Sequence, residues 1–317
     1  MVFLDPKTDV AFKKLFGDSA YKNVVISFLN SILNRKGKET IVDVTMNDPY
    51  NHPETVVTDA TKNVTTDVTE ERKSSKSSIV DIKCTDQAKN RYIIEMQVVR
   101  QSDYLERAQY YSSVALSRQL KSTEPFGKLD PVIFVGVLDF TFFSNPNYVT
   151  HHILLDQETH EHVLKHLTFH FIELKKFNKE LQELTTLTDQ WIYFLKNAHS
   201  METIPNSLKD PDINDAFDIL NKSTWSPEQL ELYDRDLDAI RSEPGKREAA
   251  KEEGREIGKA EGIEIGKVEG IEIGKVEGEK NAQIKIAKQL LDILDVETVA
   301  KKTNLNIEIV KKLKSEQ

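Results

Sequence analysis

Two acids and an amide stand close together in an apolar setting. Asp81 lies within Ser78-Ile79-Val80-Asp81-Ile82-Lys83, and Glu95 and Gln97 lie within Tyr92-Ile93-Ile94-Glu95-Met96-Gln97-Val98. Both stretches read as strands, and the polar Thr85-Asp86-Gln87-Ala88-Lys89-Asn90 between them has the length of a hairpin turn. Side chains alternate along a strand, so Glu95 and Gln97 share one face while Ile94 and Met96 take the other. Val80 and Ile82 are expected to flank Asp81 in the same manner. A buried carboxylate is costly unless something pairs with it, and a divalent cation is the usual solution. Such a cation can activate a bound water and neutralise negative charge on an oxygen beside it.

Three further blocks accompany the hairpin. They are Thr8-Asp9-Val10-Ala11-Phe12-Lys13-Lys14-Leu15-Phe16-Gly17, Glu106-Arg107-Ala108-Gln109-Tyr110-Tyr111 and Phe171-Ile172-Glu173-Leu174-Lys175-Lys176-Phe177. In this order the four blocks resemble the recombination-promoting nuclease and transposase family of the PD-(D/E)XK nuclease superfamily. Four ordered blocks are far more specific than a lone D…ExQ pattern.

The resemblance implies an α/β, restriction-endonuclease-like mixed sheet flanked by helices and followed by a helical C-terminal region. It implies a metal-dependent DNA endonuclease associated with recombination or mobile elements, using Mg²⁺ or another divalent cation such as Mn²⁺ or Ca²⁺. Asp81 and Glu95 would be metal ligands and catalytic residues. Gln97 would occupy the place of the usual final Lys, where it can orient a water but adds no charge. Asp9 has two readings: a further metal ligand, or an acid stabilising the start of a helix. Lys14, Arg107 and Tyr111 are candidate DNA contacts, each with an ordinary packing or solvated alternative. A second function class is a catalytically inactive nuclease-fold protein that binds DNA or protein and self-associates through its C-terminal repeat.

The formal net charge of −9 argues against a surface coated in positive charge for nonspecific nucleic-acid binding. It leaves room for a local basic patch, for which Lys13, Lys83, Lys89, Arg91, Arg100 and Arg118 lie near the motifs. No apolar run is long enough for a transmembrane helix, and the N-terminus lacks the pattern of a secretory signal. The single cysteine, Cys84, forms no internal disulfide and fits a reducing, cytoplasmic setting. His151, His152, His160, His162, His166 and His170 crowd one stretch. Only His162/His166 and His166/His170 have the spacing of a helical metal site, and no cysteine accompanies them.

The elements that must position these residues follow from periodicity. Helix is expected over 5–35, capped by Thr8 and broken at Gly17-Asp18, and a short strand over 41–46. Residues 48–78, rich in Thr, Ser, Asn, Asp and Lys, read as an insertion loop. A helix capped by Ser102 should run to about Leu120, with Tyr104, Arg107, Tyr111 and Val114 on one face. Strands are expected over 131–140, 152–155 and 168–174, with a short helix between the last two, and a helix over 181–197 closes a nuclease-like domain of residues 1–200. Residues 201–245 read as a helical extension, broken at Ser226-Pro227, with Phe217 and Trp225 packed on the core.

Residues 246–280 form an octad repeat, with Glu-Gly-Ile-Glu-Ile-Gly-Lys-Val at 261–268 and again at 269–276. Glycine recurs at every fourth position from Gly254 to Gly278. Each costs a helix about 1 kcal/mol relative to Ala, so a linker and a self-associating helix are both open readings. The latter offers a route to a homo-oligomer. Residues 281–317 read as a small module of three helices.

Overall fold

The strand that carries Glu95 is apolar on both faces, which places it inside a sheet and not at its edge. The computed structural model describes residues 1–51 and 78–316, so most of the expected insertion over 48–78 lies outside the described residues. The sheet has six strands in the order β1 (Val44–Asn47), β4 (Ile82–Asp86), β5 (Arg91–Gln97), β6 (Val132–Leu138), β8 (Leu167–Glu173) and β7 (Val149–Ile153). β5, β6 and β8 run parallel at its centre, while β1–β4, β4–β5 and β7–β8 pair antiparallel. β2 (Tyr50–Asn51) and β3 (Ser78–Ile79) form a separate two-stranded pair. The mixed sheet expected from the sequence is present.

One face is covered by α1 (Asp9–Gly17), α2 (Lys22–Ile32), α4 (Leu187–Asn197) and α5 (Pro211–Leu220). Their stripes bury Phe12, Phe16, Phe28, Trp191 and Phe217 against Ile82, Ile94 and Val135. The Phe16 and Phe28 ring centroids are 4.7 Å apart, and the buried Trp191 Nε1 donates to Ser27 Oγ at 3.1 Å. The other face carries α3 (Tyr104–Ser117), which buries Tyr104 and Ala108 on Ile93, Phe134 and Phe171.

Several boundaries differ from expectation for identifiable reasons. Val80 and Ile82 do not share a face: Val80 belongs to the α3 side and Ile82 to the other. The chain bends at Asp81, so the expected single strand becomes β3 and β4. Thr8 makes no side-chain cap to α1; its hydroxyl donates to Asp5 O, and Asp236 Oδ2 instead accepts from Val10 N at 2.9 Å. α3 begins after Asp103, not Ser102. The helix expected over 181–197 is a 3₁₀ turn followed by α4, whose Thr186 and Asp189 form a reciprocal cap. Residues 154–166 form turns and no helix; His160 sits there at φ 57°.

The hairpin turn is fixed by Asp86. Its carboxylate accepts from Ala88 N, Asn90 N, Asn90 Nδ2 and the buried Tyr92 Oη, each at 2.8 Å. Glu173, fully buried, organises the loop after β6. It accepts from Phe142 N at 2.5 Å and Phe143 N at 3.1 Å, and Lys176 Nζ joins it at 2.6 Å. Lys176 also donates to Phe143 O and Asn145 O. The fourth sequence block is therefore a loop clamp, with Lys176 as the partner of Glu173.

The described residues fall into two compact units, Met1–Glu243 and Pro244–Gln317. The octad repeat is helical, within α6 (Pro227–Leu290), which contains Pro244 at the unit boundary. Ile257, Ile265, Ile273 and Val276 are exposed, and among the described residues a side chain on any glycine from Gly254 to Gly278 would begin in open space outside its own helix backbone. In the second unit, α7 (Val296–Thr303) is capped by Asp295 and α8 (Ile307–Ser315) by Asn306, and they bury Val299, Leu305, Val310 and Leu313 with Ala287 and Leu291. Among the described residues, no helix is long and apolar enough to cross a membrane.

Two stability outcomes follow. Glu173→Ala leaves two amides and an ammonium without their carboxylate and lowers unfolding free energy by about 3–5 kcal/mol in denaturant titration. Replacing Gly262, Gly266, Gly270 and Gly274 together by Ala raises the thermal stability of the repeat helix, by about 0.5–1 kcal/mol per site, in far-UV circular dichroism. Loss of helicity on those substitutions would show that the glycines serve a close contact.

Candidate active site

β4 begins its ladder at the Ile82↔Ile94 pair, so β5 continues beyond its partner at Glu95, Met96 and Gln97. Along a strand, the N–H and C=O of one residue point to the same side. Gln97 turns its carbonyl towards β6, where it accepts from Asp139 N at 3.0 Å. Met96 therefore faces the β4 side, beyond the start of that strand. Asp81, at the bend, fills the gap: its Oδ2 accepts from Met96 N at 2.8 Å. The Met96 carbonyl points to the same edge.

Glu95 projects from the opposite face of β5, the α3 side, and is only 5% exposed. Burial is the main force on both acids. It pushes the Asp81 carboxyl up to about 6, against the Met96 hydrogen bond that favours the anion. It pushes Glu95 up to about 8, helped by the neighbouring Asp81 charge and opposed by Arg107. Two carboxyls are thus held together in an environment that resists their combined negative charge.

Gln97 is engaged at both ends of its amide. Its Oε1 accepts from Arg107 Nη2 at 3.1 Å, and its Nε2 donates to Val99 O at 2.8 Å. Arg107, in the second turn of α3, also donates through Nη1 to Gln101 Oε1 at 2.5 Å and lies 5.7 Å from the Tyr104 ring centroid. Its Nε is buried with no hydrogen-bond partner among the described residues. The Arg107 charge favours the ionised forms of both Asp81 and Glu95. Tyr111, one turn further on, is half-buried; burial and then the Glu95 charge raise its hydroxyl pKa.

Asp9 stands at the edge of this group. It is 55% exposed and ion-paired with Lys13 at 2.7 Å, although its charge raises the Asp81 carboxyl. Among the described residues, no three His, Cys, Asp or Glu side chains gather closely enough to hold a metal, so Asp9 does not converge with the pair. Lys14 is engaged by residues outside this group. Its ammonium sits 4.2 Å from the Trp225 ring centroid and donates to Gln229 Oε1 at 3.1 Å. The histidine-rich stretch is a strand pair joined by turns, so helical spacing brings nothing together. Among the described residues, His151 and His170 are the histidines that meet, with their Nδ1 atoms 2.6 Å apart across β7 and β8. Cys84 is buried and its thiol is pushed up to about 12, an inert environment.

The donor set fits a hard divalent cation. Asp81 and Glu95 offer carboxylate oxygens, Mg²⁺ characteristically takes one or two carboxylates, and a cation would relieve the charge that burial penalises. Sequence reasoning missed the Met96 N–H, Gln101 and the Tyr104 hydroxyl as parts of this group. Tyr104 carried a signal in its position one turn before Arg107.

A family model of PD-(D/E)XK nuclease family transposases matches residues 6–68 and 57–248. No curated protein and no solved structure matches the chain. The matched residues include α1, the hairpin bearing Asp81 and Glu95, α3 with Arg107, and the Glu173 clamp. The chain belongs to the PD-(D/E)XK nuclease family transposases.

Proposed function

We propose that this protein is a divalent-metal-dependent DNA endonuclease that hydrolyses phosphodiester bonds, in the setting of recombination or mobile elements. The observation that carries this reading is the pair of half-buried Asp81 and buried Glu95 at the unpaired end of β5. The two carboxylates, with the Met96 carbonyl beside them, would hold Mg²⁺ or Mn²⁺. The bound ion would activate water and neutralise charge on the phosphate. Asp81 is kept in place by Met96 N. Gln97 keeps its amide fixed between Arg107 and Val99 and orients a water without adding charge.

Arg107 supplies the cation that Gln97 lacks. Its guanidinium stands within electrostatic reach of both acids, and its geometry suits a phosphate oxygen. Tyr111 on the same helix face extends the DNA contact. Asp9 serves as an outer acid, through Asp81 and Lys13. Lys14 contributes through its packing against Trp225, and its direct DNA contact falls away from the proposal. The tied amide of Gln97 favours one other reading, a nuclease fold that binds DNA without cutting it.

The deciding assay is nicking or linearisation of supercoiled plasmid with Mg²⁺, Mn²⁺ or Ca²⁺. Asp81→Ala and Glu95→Ala reduce cleavage at least about 100-fold, and Arg107→Ala reduces it about 10- to 100-fold. Equal cleavage by wild type and both acid variants would refute the assignment. DNA binding without cleavage under any metal would favour the noncatalytic reading.

The raised carboxyls also set the sign of a pH effect. A folded-state pKa above the unfolded value means that the folded chain binds more protons. The stabilisation is full below the ordinary carboxylate range and is lost as pH rises through about 6 for Asp81 and about 8 for Glu95. The metal-free protein therefore melts at lower temperature at pH 8.5 than at pH 5. Mn²⁺ restores the melting temperature at pH 8.5 and has little effect at pH 5, because protons and metal compete for the same oxygens. A Mn²⁺ response equal at both pH values, or retained in Asp81→Asn/Glu95→Gln, would contradict this account.

A further inference from the structure

Tyr104 opens α3 and is fully buried, yet its hydroxyl has no hydrogen-bond partner among the described residues. Leaving such a group unpaired costs about 1–3 kcal/mol. A phenylalanine would fill the same space against Phe134 and Phe171 without that cost. The hydroxyl therefore needs a reason beyond packing.

Its surroundings supply one. The β5–β6 register sets Glu95 beside Gly136, and side chains at registered positions of adjacent strands share a face. A Cβ on residue 136 would lie 2.5 Å from Tyr104 Oη. The hydroxyl thus occupies the space that Gly136 leaves open, one strand away from Glu95 on the same face. The charges of both Glu95 and Asp81 act on it, and Arg107 stands over its ring. Glu95 itself receives no side-chain hydrogen bond among the described residues.

We infer that Tyr104 is a positioning residue for Glu95: its Oη, unpartnered among the described residues, turns to donate a hydrogen bond to the carboxylate when Glu95 is ionised, and so fixes which oxygen is presented to a divalent cation. The inference rests on the proposed metal site and adds a role that acts through Glu95 alone. Gly136 serves the same purpose by omission, since any side chain there would displace the hydroxyl. The arrangement is a common way of holding a ligating carboxylate by an outer partner.

The test is Mn²⁺ binding to the full chain, measured by electron paramagnetic resonance at pH 8.5, with thermal denaturation alongside. Wild type, Tyr104→Phe, Glu95→Gln and the double variant are compared. Tyr104→Phe is expected to fold with an equal or higher melting temperature at pH 5, where Glu95 is protonated, and at pH 8.5 to bind Mn²⁺ roughly 3- to 10-fold more weakly, a part of the worth of one charge-assisted hydrogen bond. In the Glu95→Gln background the same change is expected to have no further effect. Unchanged Mn²⁺ affinity in Tyr104→Phe, or an equal loss in both backgrounds, overturns the role of Tyr104 while leaving the metal site intact. Absence of Mn²⁺ binding by the wild-type chain overturns the metal-site reading and this role with it.

Discussion

Asp81 and Glu95 are kept close together where solvation is poor, and much of the surrounding architecture answers the resulting electrostatic demand. β4 starts two residues too late to pair with Met96, so the Met96 N–H is available to hold Asp81. The parallel pairing of β5 with β6 places Glu95 over a glycine, under the first turn of α3. α3 in turn brings Arg107 to the same corner, the cation that opposes the combined negative charge. Burial outweighs these favourable contacts for both acids, and their carboxyls remain raised. Such residual imbalance is characteristic of sites built to receive something.

The scaffold meets the demand by over-determining the backbone around it. Asp86 closes the hairpin with four hydrogen bonds, and Glu173 with Lys176 fixes the loop that follows β6. On the other face, the Phe16, Phe28 and Trp191 cluster anchors α1, α2 and α4 to the sheet. These are polar and aromatic contacts far apart in sequence, so the site's geometry depends on the whole first unit and not on the hairpin alone.

The sheet, its apolar faces and the Asp81/Glu95 pairing were legible in sequence because alternation and ordered blocks carry them. The bend at Asp81 was not, since local alternation cannot reveal where a strand's pairing with its neighbour begins. Arg107 was legible as a helix-face residue, but its engagement of Gln97 depends on the crossover between β5 and β6. The packing of Lys14 over Trp225 was not legible, because the two lie more than two hundred residues apart. The helix expected over the histidine-rich stretch failed for a related reason: strand pairing of β7 with β8 overrides local propensity. In the repeat, glycine content left linker and helix balanced, and the chain adopts the helix despite the cost of its glycines.

The central claim is that the Asp81–Glu95 pair is a cation site. The most direct measurement is an anomalous difference map from crystals of the full chain grown with Mn²⁺ at pH 8.5. The account predicts a Mn²⁺ peak within coordination distance of a carboxylate oxygen from each of Asp81 and Glu95. A map with no peak there at saturating Mn²⁺, or a peak held only by other residues, would contradict it.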